Sequence, residues 1–293
     1  MALNAQRPLT LPAPAKINLF LNVTGRRADG YHTLETLFVP IAQADFITFT
    51  ERSDGAIVRE GGAAGVAPEN DLAVRAARLL LDHGAAGRGV TLTVRKNLPL
   101  GGGLGGGSSD AATVLLGLNR LWGLGHSRRA LMSLALELGA DVPFFLFGEP
   151  ALGRGIGQTL DAVSLPPTWF VVLAPRASVS TGAIFAAPEL TRNSGSVKMF
   201  AFPDGFGRND LQAVAAARFP EIADCLDVLG SEAEAAQATV GARMSGSGSC
   251  VFAAFGAEDV AAQVLARSTR AGRCTGFVAR ALNRHPLWEF ATS

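Results

Sequence analysis

The chain has 293 residues, room for two domains with sizeable cores, and its 48% apolar and 17% charged residues argue against disorder. Its 26 Lys and Arg against 25 Asp and Glu give a formal net charge of +1, so the basic footprint of a general nucleic-acid binder is missing. Cys225, Cys250 and Cys274 are widely spaced, with no CxxC pair or Cys/His cluster, which excludes a zinc-site pattern and suits a reducing compartment.

The first 23 residues hold no long apolar run, because Lys16, Asn18 and Asn22 interrupt it. We expect no signal peptide and no membrane span, and a cytoplasmic location. Residues 8–60 read as strands. Ile17, Leu19, Leu21 and Val23 alternate with Lys16, Asn18, Phe20 and Asn22, which puts Lys16 and Asn18 on one face, opposite the aliphatic one. Ala28–His32 is a turn by its Asp-Gly pair. Residues 71–83 have helical spacing, with Leu72, Arg75, Ala76, Leu79 and Leu80 at threes and fours, and residues 90–94 read as a strand.

A glycine-rich segment then leads into a helix over about 109–121. A second helix spans 127–138, with Ser127 as its N-cap. The stretch 152–168, with several glycines and Pro166-Pro167, is the expected boundary, dividing 1–162 from 163–293. Beyond it we expect a strand at 169–173, a Ser-Thr-Gly turn at 180–182 and helical stretches through Leu229. A strand at 250–255, a helix at 260–266 and a strand at 276–282 follow. Strands and helices mix without a regular βαβ repeat, so the fold class is α+β.

Six of the seven residues 101–107 are glycine. Such backbone takes positive φ freely and lets N–H groups crowd against a ligand. A helix opening right after it, at Ser108 and Ser109, is a ready anion site, suited to a triphosphate. A flexible linker is the competing reading, disfavoured by the position between a strand and a strong helix. Gly101, Gly103 and Gly106 formally satisfy a dinucleotide fingerprint, but Pro99 intervenes and no acid follows at the right distance. The P-loop pattern fails because Ser108 stands where lysine is required, so the phosphates need a cation from elsewhere.

Lys16 is a candidate for that cation, although a solvated edge-strand lysine is the plainer reading of the residue taken alone. Asp141 sits between a helix and the apolar run Val142–Phe147. Partly desolvated there, it could take the proton from a hydroxyl, or cap a helix, or both.

Pro14–Asn18, Pro99–Asp110 and Met244–Cys250 together resemble the three motifs of the galactokinase, homoserine, mevalonate and phosphomevalonate (GHMP) kinase superfamily. Pro12–Leu19, Gly25–Leu34, Gly101–Ala112 and Leu138–Pro143 are most similar to one branch of it. That branch phosphorylates a cytidine diphosphate ester of methylerythritol in non-mevalonate isoprenoid biosynthesis. The resemblance runs from residue 12 to about residue 255.

It implies a two-domain fold, with an N-terminal domain like that of ribosomal protein S5, a C-terminal ferredoxin-like α/β sandwich and the active site in the cleft between them. It further implies ATP and Mg2+, a small-molecule acceptor, no nucleic-acid or membrane partner, and a monomer or weak homodimer. Lys16 and Asp141 would be the catalytic pair, with Asp141 as base toward the 2-hydroxyl. Asn18 would bind the erythritol part, and the cytosine would lie between Tyr31 and Phe185, read at its edge by His32. Thr181, Ser245 and Gly246 would also meet the substrate. ATP would be held by Pro99, Gly101, Gly102, Gly103, Leu104, Gly105, Gly106, Gly107, Ser108 and Ser109. Lys96 and Asn70 would line the adenine side, Ser108 would face the Mg2+, and Asp110 would cap the helix. Another alcohol kinase of the superfamily, of homoserine or mevalonate type, is the alternative, and the Gly30-Tyr31-His32 segment argues against it. A catalytically silent sensor is disfavoured by the presence of both Lys16 and Asp141.

Overall fold

A computed structural model describes residues 8–195 and 207–292. Two long antiparallel strands open the chain, β1 (Leu9–Arg26) and β2 (His32–Arg52), joined by the expected turn, where Arg27 N donates to Tyr31 O at 2.7 Å. Then follow β3 (Ile57–Gly61), α1 (Leu72–Asp82), β4 (Gly89–Arg95), α2 (Gly106–Leu121), α3 (Arg128–Ala135), α4 (Val142–Phe147), β5 (Ala151–Gly155) and β6 (Thr159–Ala162). The second half runs β7 (Trp169–Ala174), α5 (Thr181–Phe185), α6 (Gln212–Arg218), α7 (Pro220–Ala235), β8 (Val240–Met244), β9 (Val251–Phe255), α8 (Glu258–Thr269) and β10 (Thr275–Arg280).

The helices start where the sequence supplies caps. The Asp71 carboxylate accepts from Ala73 N at 2.8 Å, and the Ser127 hydroxyl from Ala130 N at 3.3 Å. Helix α1 then turns Ala73, Ala76, Ala77 and Leu80 inward.

The first sheet has the order β3-β4-β2-β5-β6, with β1 pairing β2, and α1, α2 and α4 cover it around Phe38, Phe49, Leu115, Phe144 and Phe145. The second has the order β10-β7-β9-β8, packed against α7 and α8 through Val171, Leu173, Leu229 and Val264. A third apolar cluster, including Ile17, Phe20, Val39, Leu104, Phe170 and Phe252, fills the space between the sheets. β1 belongs to both halves. Its C-terminal part puts Leu21 and Val23 into the second core, and Leu21 N donates to Arg208 O at 2.9 Å.

β5 and β6 lie within 151–162 and complete the first sheet. The apolar run Val142–Phe147 forms the short α4, buried along most of its length. Two readings need correction. The 180–182 turn is the start of α5. The polar face of β1 is not solvated either: Lys16 is 3% exposed and Asn18 2%, because the second half of the chain closes over them.

Candidate active site

The glycine segment between β4 and α2 is pinned on both sides. Leu104 O accepts from Lys16 N at 3.0 Å, while Gly101 O and Gly102 O accept from Ser249 N and Cys250 N, each at 3.1 Å. The Ser245 hydroxyl donates to Gly103 O at 3.1 Å. Two glycines are demanded by this closeness. Gly103 has φ +72°, and a Cβ there would lie 2.1 Å from Ser245 O. Gly105, at φ +71°, ends the loop as the residue before α2, and its Cβ would press to 2.9 Å from the Phe145 ring. These contacts exclude the flexible-linker reading. The first turn of α2, with Gly106, Gly107 and Ser108, lines a cleft of about 940 Å³. Its N–H groups have no partner within the helix and carry the positive end of the helix dipole.

Lys16 and Asp141 meet on the floor of this cleft, with Nζ 3.5 Å from Asp141 Oδ2. Lys16 also donates to Asn18 Oδ1, and Asn18 Nδ2 donates to Thr36 Oγ1 at 2.9 Å, so both ends of the Asn18 amide are oriented. Burial pulls the Lys16 ammonium below its ordinary range, and Asp141 pushes the other way. Asp141 immediately precedes α4 but its side chain makes no capping hydrogen bond, which leaves the carboxylate to the cleft. The solvated-lysine and helix-cap readings therefore fall away.

At the far end of the cleft, Tyr31 is 63% exposed on the β1–β2 turn. Phe185 stacks on His32, with ring centroids 5.1 Å apart and an interplanar angle of 27°. Tyr31 is thus open to the cleft mouth, while Phe185 already carries an imidazole against it. Thr181 Oγ1 lies 2.7 Å from Ser247 Oγ, tying α5 to the loop after β8. That loop, with Gly246, is held from below by Asn209 Nδ2, which donates to Met244 O at 2.8 Å and Gly246 O at 2.7 Å.

Lys96 lines the cleft beside the first turn of α2, where it donates to Asp45 and, at 2.6 Å, to Asp110 Oδ2. Asp45 also accepts from Asn97 N at 2.6 Å and Leu98 N at 2.8 Å, which fixes the entry to the glycine loop. Burial pushes the Asp110 carboxyl up to about 7, against the pull of Lys96, and the neighbouring Asp45 charge adds to the rise. Asp110 thus binds a lysine where a helix cap was expected.

Three predicted residues stand apart from the cleft lining. Ser109 is fully buried, and its hydroxyl donates to Pro14 O at 2.6 Å, so it fastens α2 to β1. Ser245 is fully buried too, bridging Gly103 O and Asn18 N, and it braces the loop from behind. Asn70 is exposed in the short helical turn Pro68–Asn70, outside the lining. The other predicted residues all line the one cleft. Sequence reasoning missed Thr36, Arg192 and Asn209, none of which lies in a recognisable pattern.

Residues 71–149 match the GHMP kinases N terminal domain and residues 198–273 the GHMP kinases C terminal domain. A 4-diphosphocytidyl-2-C-methyl-D-erythritol kinase of Thiobacillus denitrificans is 52% identical over 279 residues, covering 95% of this chain and 97% of the relative. The chain belongs to the 4-diphosphocytidyl-2-C-methyl-D-erythritol kinase family. The family's Nitrosomonas europaea member is 50% identical over 95% of this chain and 99% of its own length. A crystal structure of 4-(cytidine 5'-diphospho)-2C-methyl-D-erythritol kinase superposes with a TM-score of 0.79 at 34% identity, covering 93% of this chain and 99% of that one. A homoserine kinase from Cytophaga hutchinsonii gives 0.67 at 18% identity over 97% of this chain and 98% of that one, a likeness of fold alone. No described helix is long and apolar enough to cross a membrane.

Proposed function

We infer that the chain transfers the γ-phosphoryl group of ATP to the 2-hydroxyl of 4-diphosphocytidyl-2-C-methyl-D-erythritol. The observation that carries this reading is the Lys16–Asp141 contact of 3.5 Å on the floor of a cleft that the glycine loop also lines. Asp141 accepts the hydroxyl proton as the oxygen attacks phosphorus. The buried Lys16 ammonium beside that carboxylate offsets negative charge gathering on the transferred group. The loop and the first turn of α2 hold the phosphates through backbone N–H groups, and Asn18, oriented by Thr36, binds the polyol.

Mg2+ fits this donor set as an ion carried mainly by the nucleotide. Among the described residues no group of three His, Cys, Asp or Glu could hold a metal, whereas the Ser108 hydroxyl lines the phosphate end of the cleft. When bound, the ion neutralises charge on the β- and γ-phosphates. Tyr31 and Phe185 supply aromatic faces for the cytosine, and Lys96 lies toward the adenine side.

A coupled ADP-release assay across a panel of alcohols tests the reading. We expect turnover with the cytidine diphosphate ester of methylerythritol and little with homoserine or mevalonate. Equal turnover of either of those, or none of the ester, overturns it.

A further inference from the structure

A cross-tie that belongs to no motif joins the two walls at the acceptor end of the cleft. Arg192, in the irregular segment after α5, donates from Nε to His32 Nε2 at 3.1 Å. Its Nη2 donates to Phe185 O at 3.0 Å and to Ala187 O at 2.6 Å, and its Nη1 to Leu190 O at 3.0 Å. The guanidinium therefore locks its own position on three carbonyls of the α5 region and spends the remaining contact on a ring from β2.

That contact has a chemical consequence. A guanidinium donates and never accepts, so His32 Nε2 must present a lone pair to it. A neutral imidazole then carries its proton on Nδ1. Among the described residues none accepts from Nδ1, and His32 lines the cleft, so this N–H is available to a ligand there. The charged and titratable groups lining the cleft around the ring are Arg26, Asp29 and Tyr31 on the β1–β2 turn and Arg192 beyond α5. Helix α5 itself contributes none, and Asp29 is committed to Arg27 at 2.7 Å. Burial first, then the charges of Arg192 and Arg26, hold His32 below its usual range, so it is neutral near pH 7.

We propose that Arg192 is the positioning residue that sets the base preference of the acceptor site, by occupying His32 Nε2 and so presenting Nδ1–H as a fixed donor to the base edge. The proposal rests on the acceptor being the cytidine diphosphate ester inferred above. Cytosine offers a bare ring nitrogen beside its exocyclic amine, which accepts that hydrogen bond. Uracil carries N–H at the same place, so two donors would face each other, and the site loses the bond as well as the desolvation of both groups.

The decisive experiment pairs a spectroscopic readout with a pH series. Nitrogen-15 NMR of the free enzyme, with the four imidazoles assigned by one His32→Gln spectrum, reads the tautomer of His32 directly. The wild type should show Nδ1–H between about pH 6 and pH 8. Arg192→Met should release the ring into a mixture of tautomers, and Arg192→Lys, which keeps a donor, should restore Nδ1–H.

In steady-state kinetics the wild-type acceptor KM should stay flat over that range. In Arg192→Met, His32 loses the repulsion of one guanidinium, while burial and Arg26 still hold it low. Below its titration the imidazolium still donates from Nδ1, and above it the donor is partly lost. Its acceptor KM should therefore climb about three- to ten-fold as pH rises through the His32 titration, the size of one lost hydrogen bond, with the ATP KM unmoved. The margin of the cytidine over the uridine ester should shrink by a similar factor.

An Nε2–H tautomer in the wild type overturns the proposal, as does a flat acceptor KM and an unchanged margin in a folded Arg192→Met. A wild-type enzyme that turns over neither ester overturns the acceptor assignment and the base-preference half with it, while the tautomer spectra still decide the Arg192–His32 half.

Discussion

Lys16 and Asp141 are an unequal pair: the lysine is sealed beneath the cleft floor with a side-chain exposure of 4%, and the aspartate faces the opening at 36%. The buried member cannot leave, and the open member can turn toward a substrate. Asp141→Asn and Lys16→Ala should each preserve the fold and lower kcat by about 10²- to 10⁴-fold, the usual range for a lost general base or its partner. A folded Asp141→Asn enzyme with more than roughly a tenth of wild-type kcat would remove Asp141 from the role of base.

The same pair sets an alkaline limit. Burial depresses the Lys16 ammonium and Asp141 partly restores it. The charge is present below the depressed value and lost as pH rises through it, so kcat should decline at a lower pH than an ordinary lysine would dictate. Asp141→Asn removes the restoring charge and should move the Lys16 titration lower still. The chain has three lysines, Lys16, Lys96 and Lys198, so carbon-13 labelling of lysine Cε can follow this one directly. A Lys16 titration that does not move in Asp141→Asn would show that the two groups do not interact.

Gly105→Val should raise the ATP KM steeply. The backbone there has φ +71°, where a branched side chain is strained, and its Cβ would meet the Phe145 ring at 2.9 Å and Lys16 Cγ at 3.1 Å. The new side chain thus disturbs the glycine loop and Lys16 together, and kcat should fall as well. Calorimetry showing wild-type ATP affinity would take the loop out of the nucleotide site.

Asp110 makes stability depend on pH in an unusual sense. Its native pKa of about 7 lies above the 3.8 of an unperturbed aspartate. The folded state therefore binds more protons than the unfolded one across that window. The stabilisation is complete below the lower value and is lost as pH rises toward the upper. Asp110→Asn, a neutral stand-in for the protonated carboxyl, should flatten this slope, leaving Tm close to wild type near pH 4 and raising it near pH 8, since Lys96 keeps Asp45. Parallel Tm profiles for the two proteins across that range would contradict the assignment.

The glycine loop, the Lys16 strand and the Asp141 segment were legible because each carries its chemistry in a contiguous pattern. Asn70, Ser109, Ser245 and Asp110 lie in or beside such patterns, yet their neighbours in space decide what they do: Ser109 turns to Pro14 O, Asp110 to Lys96, and Ser245 under Gly103. Arg192 and Asn209 could not be read at all, since each works through carbonyls brought close only by the fold. Lys16 taken alone reads as solvated for the same reason, because the surface that buries it comes from residues some 200 positions later, as the Asn18 N to Ser245 Oγ bond spanning 227 residues illustrates.

β1 starts in the core of the first half and ends in the core of the second, with Lys16 and Asn18 midway. Cleaving the chain between the sheets would therefore not release two self-sufficient pieces. The segment 163–293 would lack Leu21 and Val23 from its interior, and the segment 1–162 would expose both. Melting should accordingly be a single cooperative event, and Lys16 sits on the member whose loss dissolves both halves at once. A strand shared by both cores opposes a wide hinge at the Lys16–Asp141 contact, which leaves the rims of the cleft, the β1–β2 turn and the loop after β8, as the parts freest to close.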